Sequence, residues 1–325
     1  MSVSVHMPWM LVGAMALEGL VGYPNALWRI IGHPVSWMGH GLRLGEGWLN
    51  SRGKRAANDF MLGTVWLLLL VSLVGGIAWS LSGFLRTFTY GWVGELFLMA
   101  TLIAGRSLYD HVAAVKDALS GTSIDEARRK VALIVGRSPD TLDEPAIARA
   151  AVESLAENAS DGVIAPLFWG LIAGLPGIAI YKLVNTSDSM WGHRNARFEW
   201  FGKSAARLDD VLNLIPARLT GFLFCAGALG RARGGAALRA MMRDAPDHLS
   251  PNAGWPEAAM AGALDRRLGG PRNYEGEQSD GAWLGTGSAD LNAEDIRRAL
   301  DLYLVTLLIA ATLLLLTGLL WGLMP

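Results

Sequence analysis

Long apolar segments alternate with polar, basic segments along this chain, and the alternation predicts a protein that crosses a membrane several times. The apolar segments 7–23, 60–85, 92–104 and 301–323 predict full transmembrane helices, because about 20 apolar residues cross the hydrocarbon core of a bilayer. We therefore expect an all-α polytopic membrane protein with about four full transmembrane helices, in which residues 1–325 form a single integral-membrane domain.

Two further apolar segments are unsuited to a continuous span. Residues 162–181 contain Pro166, Pro176 and four glycines, which interrupt a helix. Residues 208–230 end in an apolar stretch that is too short to cross by itself. We expect both to be re-entrant or broken half-helices, since irregular backbone is tolerated at membrane depth where it lines a protein cavity.

Basic loops face the cytoplasm in membrane proteins, and this rule fixes the predicted orientation. It places 24–59, 107–161 and 231–300 on the cytoplasmic side of a multi-pass protein of the inner or plasma membrane. If both broken segments return to the side they enter from, the basic loop 182–207 lies there too. Residues 107–144 predict two short amphipathic helices, and residues 231–287 predict loop, helix and loop.

Composition and short motifs exclude several classes of protein. The chain is 52% hydrophobic and 18% charged, and its formal net charge of −1 indicates no nucleic-acid partner. A single cysteine excludes a disulfide within the chain. No GxSxG nucleophile motif, Walker phosphate loop or zinc-type Cys/His cluster is present.

Acidic residues form a stripe at the start of the central segment 146–221. Glu153, Glu157 and Asp161 recur every four residues and therefore share one face of a helix that Asp143 caps. One interpretation is a solvated helix face. The other is a Mg²⁺ site, because carboxylates one turn apart suit this ion, and Asn158 adds a neutral ligand.

A second polar group follows the first broken segment. Lys182, Asn185 and Asp188 are spaced three apart, which fits either a capped loop or the floor of a polar pocket in which Lys182 contacts phosphate. Asp209 and Asp210 are interpreted either as a second acidic metal face or as compensation of a helix dipole.

Several other side chains are candidates for binding phosphate or the substrate. Arg218 lies between apolar residues and should have a partner or a ligand, because a charge at membrane depth is costly. His33, next to a proline, fits either a structural or a binding role. The remaining candidates are polar or guanidinium side chains that suit anions and amides: Arg194, Arg207, Asn213 and Asn252.

These residue patterns predict a membrane-embedded site that handles Mg²⁺ and phosphate. They leave open phosphoryl-assisted ligation, an intramembrane transferase and an anion transporter. A transporter typically shows internal repeats, and none is visible in the sequence.

Long motifs in the same regions carry a specific resemblance. They are GHPVSWMG, IVGR, ARAAVESLAENASDGVIAPLFW, GLPGIAIYKLVNTSDSMWG, SAARLDDVLNLIPARLTG and SPNAGWPEAAMAGALDRRLGGPRNYEG. With these motifs the chain resembles the CobD/CbiB family of cobalamin-biosynthesis membrane proteins, the adenosylcobinamide-phosphate synthases. Glu18 and Ser138 stand where that family usually has Asp.

The resemblance implies an ATP-dependent, amide-forming ligase. It implies that (R)-1-aminopropan-2-ol, or its O-phosphate, is joined to the f-propionate of adenosylcobyric acid, with MgATP consumed. On this basis the candidate catalytic residues are Glu153, Glu157, Lys182 and Asp188. The candidate metal ligands are Glu157, Asp161, Asp209 and Asp210, and the candidate substrate or phosphate contacts are His33, Asn158, Asn185, Arg194, Arg207, Asn213, Arg218 and Asn252.

The expected partners are the corrinoid, the amine substrate and the lipid bilayer. Association with other cobalamin-biosynthesis membrane enzymes is a further expectation, and the sequence leaves a homo-oligomer open. Two alternatives to the ligase stay open: a non-catalytic protein that binds or assembles corrinoids, and a membrane Mg²⁺-dependent transferase.

Overall fold

α-Helices form most of the part of the chain that the computed structural model describes, which is residues 7–23, 29–51, 55–121, 123–135, 140–193, 195–274, 277–279 and 281–322. In chain order they are α1 (Met7–Val21), α2 (Pro34–Leu49), α3 (Ala56–Leu85), α4 (Gly91–Ala100), α5 (Gly105–Leu119), α6 (Ile124–Val131), α7 (Glu144–Ala159), α8 (Ala165–Trp191), α9 (Lys203–Gly227), α10 (Gly234–Asp244), α11 (Gly254–Leu264) and α12 (Ala293–Gly322). A π-helical turn, Ser160–Ile164, joins α7 to α8, and 3₁₀ turns cover Ala228–Arg231 and Ala245–Asp247.

Two short antiparallel ladders lie between α11 and α12. Strand β1 (Leu268–Gly269) pairs with β4 (Trp283–Leu284), and β2 (Arg272–Tyr274) pairs with β3 (Glu277–Ser279). The sequence predicted only loop, helix and loop here, because strands of two or three residues leave no alternation to detect. Because these ladders are so small and the other elements are helices, the predicted all-α class is confirmed.

The chain divides into two compact units. The first unit comprises 1–104, 165–213 and 314–325, and the second comprises 105–164 and 214–313. Each unit is therefore built from segments that are distant in sequence. The single domain expected from the sequence stays a prediction, since compactness does not test whether either unit folds alone.

The core of the first unit forms where α3 packs against α8. Leu67, Leu183 and Trp191 are fully or almost fully buried there, and the rings of Trp191 and Phe201 meet edge to face with centroids 4.9 Å apart. The backbones approach closely at Gly63, where an added Cβ would lie 2.2 Å from the carbonyl oxygen of Phe201. Only a residue without a side chain fits at this point.

Helix α8 is interrupted at Gly174, whose φ of 63° is a left-handed conformation that favours glycine. A Cβ at Gly170 would meet the side chain of Ile178 at 2.8 Å, and one at Gly177 would meet the carbonyl oxygen of Trp169 at 2.2 Å. Residues eight apart are separated by about 12 Å along a straight helix. The chain therefore turns sharply at Gly174 and the two halves of α8 contact each other, as the glycines and prolines predicted.

The second unit is built around α7, α10 and α11. Helices α10 and α11 approach so closely that a Cβ at Gly262 would lie 2.7 Å from the carbonyl oxygen of Ala236. Helices α5 and α6 pack against α7, and the buried hydroxyl of Tyr303 donates to the carbonyl of Gly105 at 3.1 Å. The predicted pair of amphipathic helices in 107–144 is confirmed. The predicted cap is also confirmed, because Asp143 accepts a hydrogen bond from the Ala146 amide at 3.0 Å.

Four segments of the described chain are long and apolar enough to cross a membrane, namely 56–85, 144–191, 203–231 and 293–322. A multi-pass membrane protein is thus confirmed. Two of these segments contain most of the predicted full spans 60–85 and 301–323, whereas the other two contain 162–181 and 208–230, which the sequence predicted to be re-entrant or broken half-helices. Two of the predicted full spans, 7–23 and 92–104, are too short to cross. Helix α1 has 15 residues and α4 has 10, fewer than the roughly 20 that a crossing requires. The 203–231 segment is longer than the sequence suggested, because Pro216 is accommodated inside α9.

The close approach at Gly63 gives a stability prediction. Gly63→Ala forces the Phe201 carbonyl to move, so it should cost about 1–3 kcal/mol and lower Tm by about 2–4 °C per kcal/mol. Gly76→Ala, in the same helix, is a matched control because nothing lies within 4 Å of its added Cβ. Thermal unfolding of the detergent-solubilised variants measures both; equal Tm values for the two variants would contradict the packing.

Candidate active site

A network of buried polar side chains joins α8 to α9 in the first unit. Asp209 accepts hydrogen bonds from the Asn185 amide at 3.4 Å and from the Asn213 amide at 3.0 Å. The Asn213 oxygen in turn accepts from the Tyr181 hydroxyl at 2.9 Å. Asp209, Asn213 and Tyr181 are buried. The structure therefore brings together three predicted residues, with Tyr181 as an additional member.

Two more carboxylates act on this network through their charge. Asp188, one turn beyond Asn185 on α8, and Asp210, next to Asp209 on α9, interact electrostatically with each other and with Asp209. Like charges held close together repel. A cation or a substrate ammonium group between them would relieve that repulsion.

The polar residues of α8 lie on a helix and not in a loop. The sequence left a capped loop open for Lys182, Asn185 and Asp188, but α8 continues to Trp191. Their spacing of three therefore places them along one helical face, where residues three and four apart are neighbours. The predicted loop 182–207 is correspondingly shorter, because only the residues after Trp191 leave the helix.

His33 begins α2 and lies within electrostatic range of Lys182. Its Nδ1 accepts a hydrogen bond from the Val35 amide at 3.2 Å, as an N-cap does, and its ring meets that of Tyr23 edge to face at 4.5 Å. Burial lowers the pKa of His33, and the nearby charge of Lys182 lowers this pKa further. His33 therefore has the structural role that the sequence left open, as the N-cap of α2. Its imidazole is also close enough to Lys182 to be affected by the lysine charge.

The acidic stripe of α7 lies in the second unit and is not uniformly solvated. Glu153 is buried and accepts a hydrogen bond from the Gly269 amide at 2.6 Å. Glu157 is exposed and Asp161 is half-buried. The Asn158 amide donates to the Ser154 carbonyl at 2.9 Å. The stripe thus changes along its length from a structural carboxylate to an accessible one.

The π-helical turn Ser160–Ile164 follows directly after these residues. Such turns are rare and are frequently found at functional sites. The hydroxyl oxygen of Ser160 is buried there without a hydrogen-bond partner in the described structure. Sequence reasoning missed Ser160, because no local signal distinguishes a π turn from ordinary α-helix.

Arg218 and Asn252 are brought together in the second unit. The Nη1 group of Arg218 donates to the Asn252 side-chain oxygen at 3.2 Å and to the Leu214 carbonyl at 2.8 Å. Its guanidinium also lies 4.4 Å from the ring centroid of Trp255, a favourable cation–π distance. The expectation that Arg218 has a partner is confirmed.

The remaining predicted residues are less informative. Arg207 is exposed on α9, and Arg194 lies outside the described residues. Where the chain is described, no group of three or more His, Cys, Asp or Glu side chains is arranged to hold a metal ion. Tyr181 was missed although it lies four residues before Asn185, a spacing that places both on one helical face.

Fold and site together define an α-helical, multi-pass membrane protein with buried acid–amide contacts between apolar helices. A family profile described as "CobD/Cbib protein" matches residues 11–303, so the chain belongs to the CobD/Cbib family. Similar proteins named "Cobalamin biosynthesis protein CobD" come from Rhodobacter capsulatus, Brucella anthropi and Rhizobium meliloti, at 48%, 46% and 41% identity. The alignments cover 90%, 95% and 90% of this chain and 92%, 97% and 91% of the relatives. No solved structure matches the chain significantly.

The lowered pKa of His33 gives a pH prediction. The folded-state pKa of His33 lies below its unfolded value near 6.5. The contribution of neutral His33 to the free energy of unfolding is therefore fully present above about pH 6.5 and is lost as the pH falls through the folded pKa. His33→Asn keeps a good N-cap but cannot titrate. Between about pH 8 and about pH 5, the Tm of the native protein should fall more than that of His33→Asn.

His40→Asn is the control for this measurement, because His40 is exposed on the same helix. This variant should keep the pH dependence of the native protein. If the native protein and His33→Asn lose the same Tm over the pH range, His33 does not titrate as described.

Proposed function

We propose that this protein is an ATP-dependent ligase of cobalamin biosynthesis. In the proposed reaction, the amine of (R)-1-aminopropan-2-ol, or of its O-phosphate, forms an amide with the f-propionate carboxylate of adenosylcobyric acid. The product is adenosylcobinamide or its phosphate. Membership of the family supports a role in cobalamin biosynthesis. The observation that carries the proposal of a catalytic site is the acid–amide network of the first unit, which consists of Asp209, Asn185, Asn213 and Tyr181.

The chemistry explains why such a site needs both acidic and basic side chains. A carboxylate is a poor electrophile, so transfer of a phosphoryl group from ATP first converts it to an acyl phosphate. The amine nitrogen then attacks the acyl carbon, inorganic phosphate leaves, and the nitrogen loses a proton. Basic side chains stabilise the phosphate charge in both steps, and a carboxylate accepts the proton.

The carboxylates of the first unit fit a magnesium ion. Mg²⁺ is usually held by one or two carboxylates together with substrate phosphates and water, so a group of three protein ligands is not required. We assign the ion to Asp188 and Asp210, whose charges act on each other. Asp209 is already engaged by Asn185 and Asn213, so we assign it to positioning these amides. The bound ion would neutralise phosphate charge.

Lys182 is the basic residue of this unit that the geometry favours for phosphate. It lies on the same helix as Asp188, and its charge reaches His33. A lysine presents a compact point charge, which suits a phosphate oxygen. Arg207, exposed at the start of α9, is proposed to contact the substrate, and the same role stays a prediction for Arg194.

The candidates in the second unit are proposed separately. Of the two glutamates, Glu157 is the better proton acceptor because it is exposed, whereas Glu153 is buried and bonded to the Gly269 amide. Glu157 and Asp161 stay predicted metal ligands, and Asn158, Arg218 and Asn252 stay predicted substrate contacts. The contacts of Arg218 with Asn252 and Trp255 would be adjusted when a substrate binds.

The proposed location is the cytoplasmic side of the cell membrane, where ATP is available. The basic loops after α8 and α9 support this orientation. Cysteine-labelling from outside the cell tests it: single cysteines introduced into 195–202, in a Cys225→Ser background, should stay unlabelled until the membrane is permeabilised. Labelling of intact cells would contradict the orientation.

A reconstituted assay tests the reaction. Purified protein is supplied with adenosylcobyric acid, aminopropanol or its phosphate, and MgATP, and the amide product and the released nucleotide are identified by mass. Asp210→Asn and Asp188→Asn should each lower kcat by about 10–100-fold, the usual cost of disturbing a metal site. Asp117→Asn is the control, because Asp117 is 71% exposed on α5, and should retain normal turnover.

The outcomes separate the proposed ligase from its alternatives. No product together with tight corrinoid binding would favour a corrinoid-binding or assembly protein. Transfer of a group without nucleotide consumption would favour a magnesium-dependent transferase. Normal turnover in both aspartate variants would refute the assignment of the first-unit carboxylates while leaving the reaction itself established.

A further inference from the structure

A cavity of about 200 Å³ lies beside α10 and α11 in the second unit. Its walls include the side chains of Arg233, Arg239 and Arg243 together with Asp265 and Thr286. Sites for drug-sized ligands usually measure about 300–1,000 Å³. A cavity of this size therefore suits a small anion, or one group of a larger ligand that projects into it.

Positive charge predominates in this cavity, because three guanidinium groups line it against the single carboxylate of Asp265. Arg233 contacts Asp265 at 2.7 Å, and Arg243 contacts the neighbouring Asp244 at 2.5 Å. Arg239 is exposed and makes no ion pair within the described residues. At least one guanidinium in the cavity thus has its full set of donors available for an anion.

Arg233 adds a second, independent observation. Its Nη2 group donates to the Gly262 carbonyl at 3.2 Å, while its Nε–H is buried and has no hydrogen-bond partner in the described structure. Leaving a buried donor unsatisfied costs free energy, and such donors are uncommon unless a ligand, ion or water completes them. This donor lies in a side chain that forms part of the cavity wall.

We propose that the cavity between α10 and α11 binds a phosphate group. Arginine is the side chain best matched to phosphate, since its planar fork donates two parallel hydrogen bonds to the oxygens. The hydroxyl of Thr286, another lining residue, would supply a neutral donor. Two sources present this chemistry to a membrane protein, a soluble phosphate compound and the headgroup of an anionic lipid, and both would be recognised by the same guanidinium groups.

The site is separate from the one in the proposed function. None of the residues that line the cavity belongs to the acid–amide network of Asp209 or to the stripe of α7. The proposal therefore does not depend on the ligase reaction, and a binding measurement without turnover tests it. Failure of the ligase assay would leave it unchanged.

The first measurement is calorimetric titration of the detergent-solubilised full-length protein with pyrophosphate in magnesium-free buffer at fixed ionic strength. Arg239→Gln should weaken binding about tenfold, the equivalent of about 1.4 kcal/mol, because one charge-assisted contact is lost. Glutamine has a helix propensity close to that of arginine, so α10 should be retained. Arg231→Gln is the matched control, because this exposed arginine lies outside the cavity and pairs with Asp301.

The second measurement distinguishes the two sources. Native mass spectrometry counts the phosphatidylglycerol molecules retained by the protein from nanodiscs that contain this lipid, with phosphatidylcholine nanodiscs as the comparison. Retention that is lost in Arg239→Gln identifies a lipid headgroup. Pyrophosphate binding with no such retention identifies a soluble phosphate compound.

Either of those outcomes supports a phosphate site. The proposal is overturned if the native protein neither binds pyrophosphate saturably nor retains phosphatidylglycerol preferentially. It is also overturned if Arg239→Gln behaves as the native protein does, or if Arg231→Gln weakens binding equally, since the attraction would then come from general surface charge.

Discussion

The carboxylate of Asp209 has to be satisfied between apolar helices, and the polar residues of the first unit are arranged around that requirement. A charged group away from water is costly unless hydrogen bonds compensate it. Asn185 and Asn213 both donate to it, and the Tyr181 hydroxyl completes Asn213. This chain of contacts links α8, which also carries Lys182 and Asp188, to α9, which carries Asp210.

Departures from regular α-helix occur within or at the end of the helices that carry the polar groups. The turn at Gly174 lets the two halves of α8 contact each other, and the π turn after α7 changes the helical register directly beyond Glu157. Both irregular turns interrupt the repeating i to i−4 hydrogen bonds of the helix, and so leave backbone groups available for other partners.

The sequence predicted the parts of the fold that depend on local patterns. Hydropathy indicated the class, Asp143 indicated a helix start, and the glycines and prolines near Gly174 indicated a break. It did not predict that Glu153 is bonded to Gly269 or that Asn252 meets Arg218, because contacts between distant positions leave no trace in periodicity. The lengths of α1 and α4 were overestimated for a related reason: apolar residues that pack against other helices resemble residues that face lipid.

The hydrogen bond between Glu153 and Gly269 also has a consequence for how the chain is made. Its two residues are 116 positions apart. Residues 165–213, which belong to the first unit, are synthesised between them. Loop closure over such a separation is slow compared with local helix formation. During translation, the Glu153 carboxylate of α7 therefore exists for some time without the hydrogen bond from the Gly269 amide that it accepts in the finished protein. The second unit cannot be complete until residues 214–313 have left the ribosome, although its first segment, 105–164, is made much earlier.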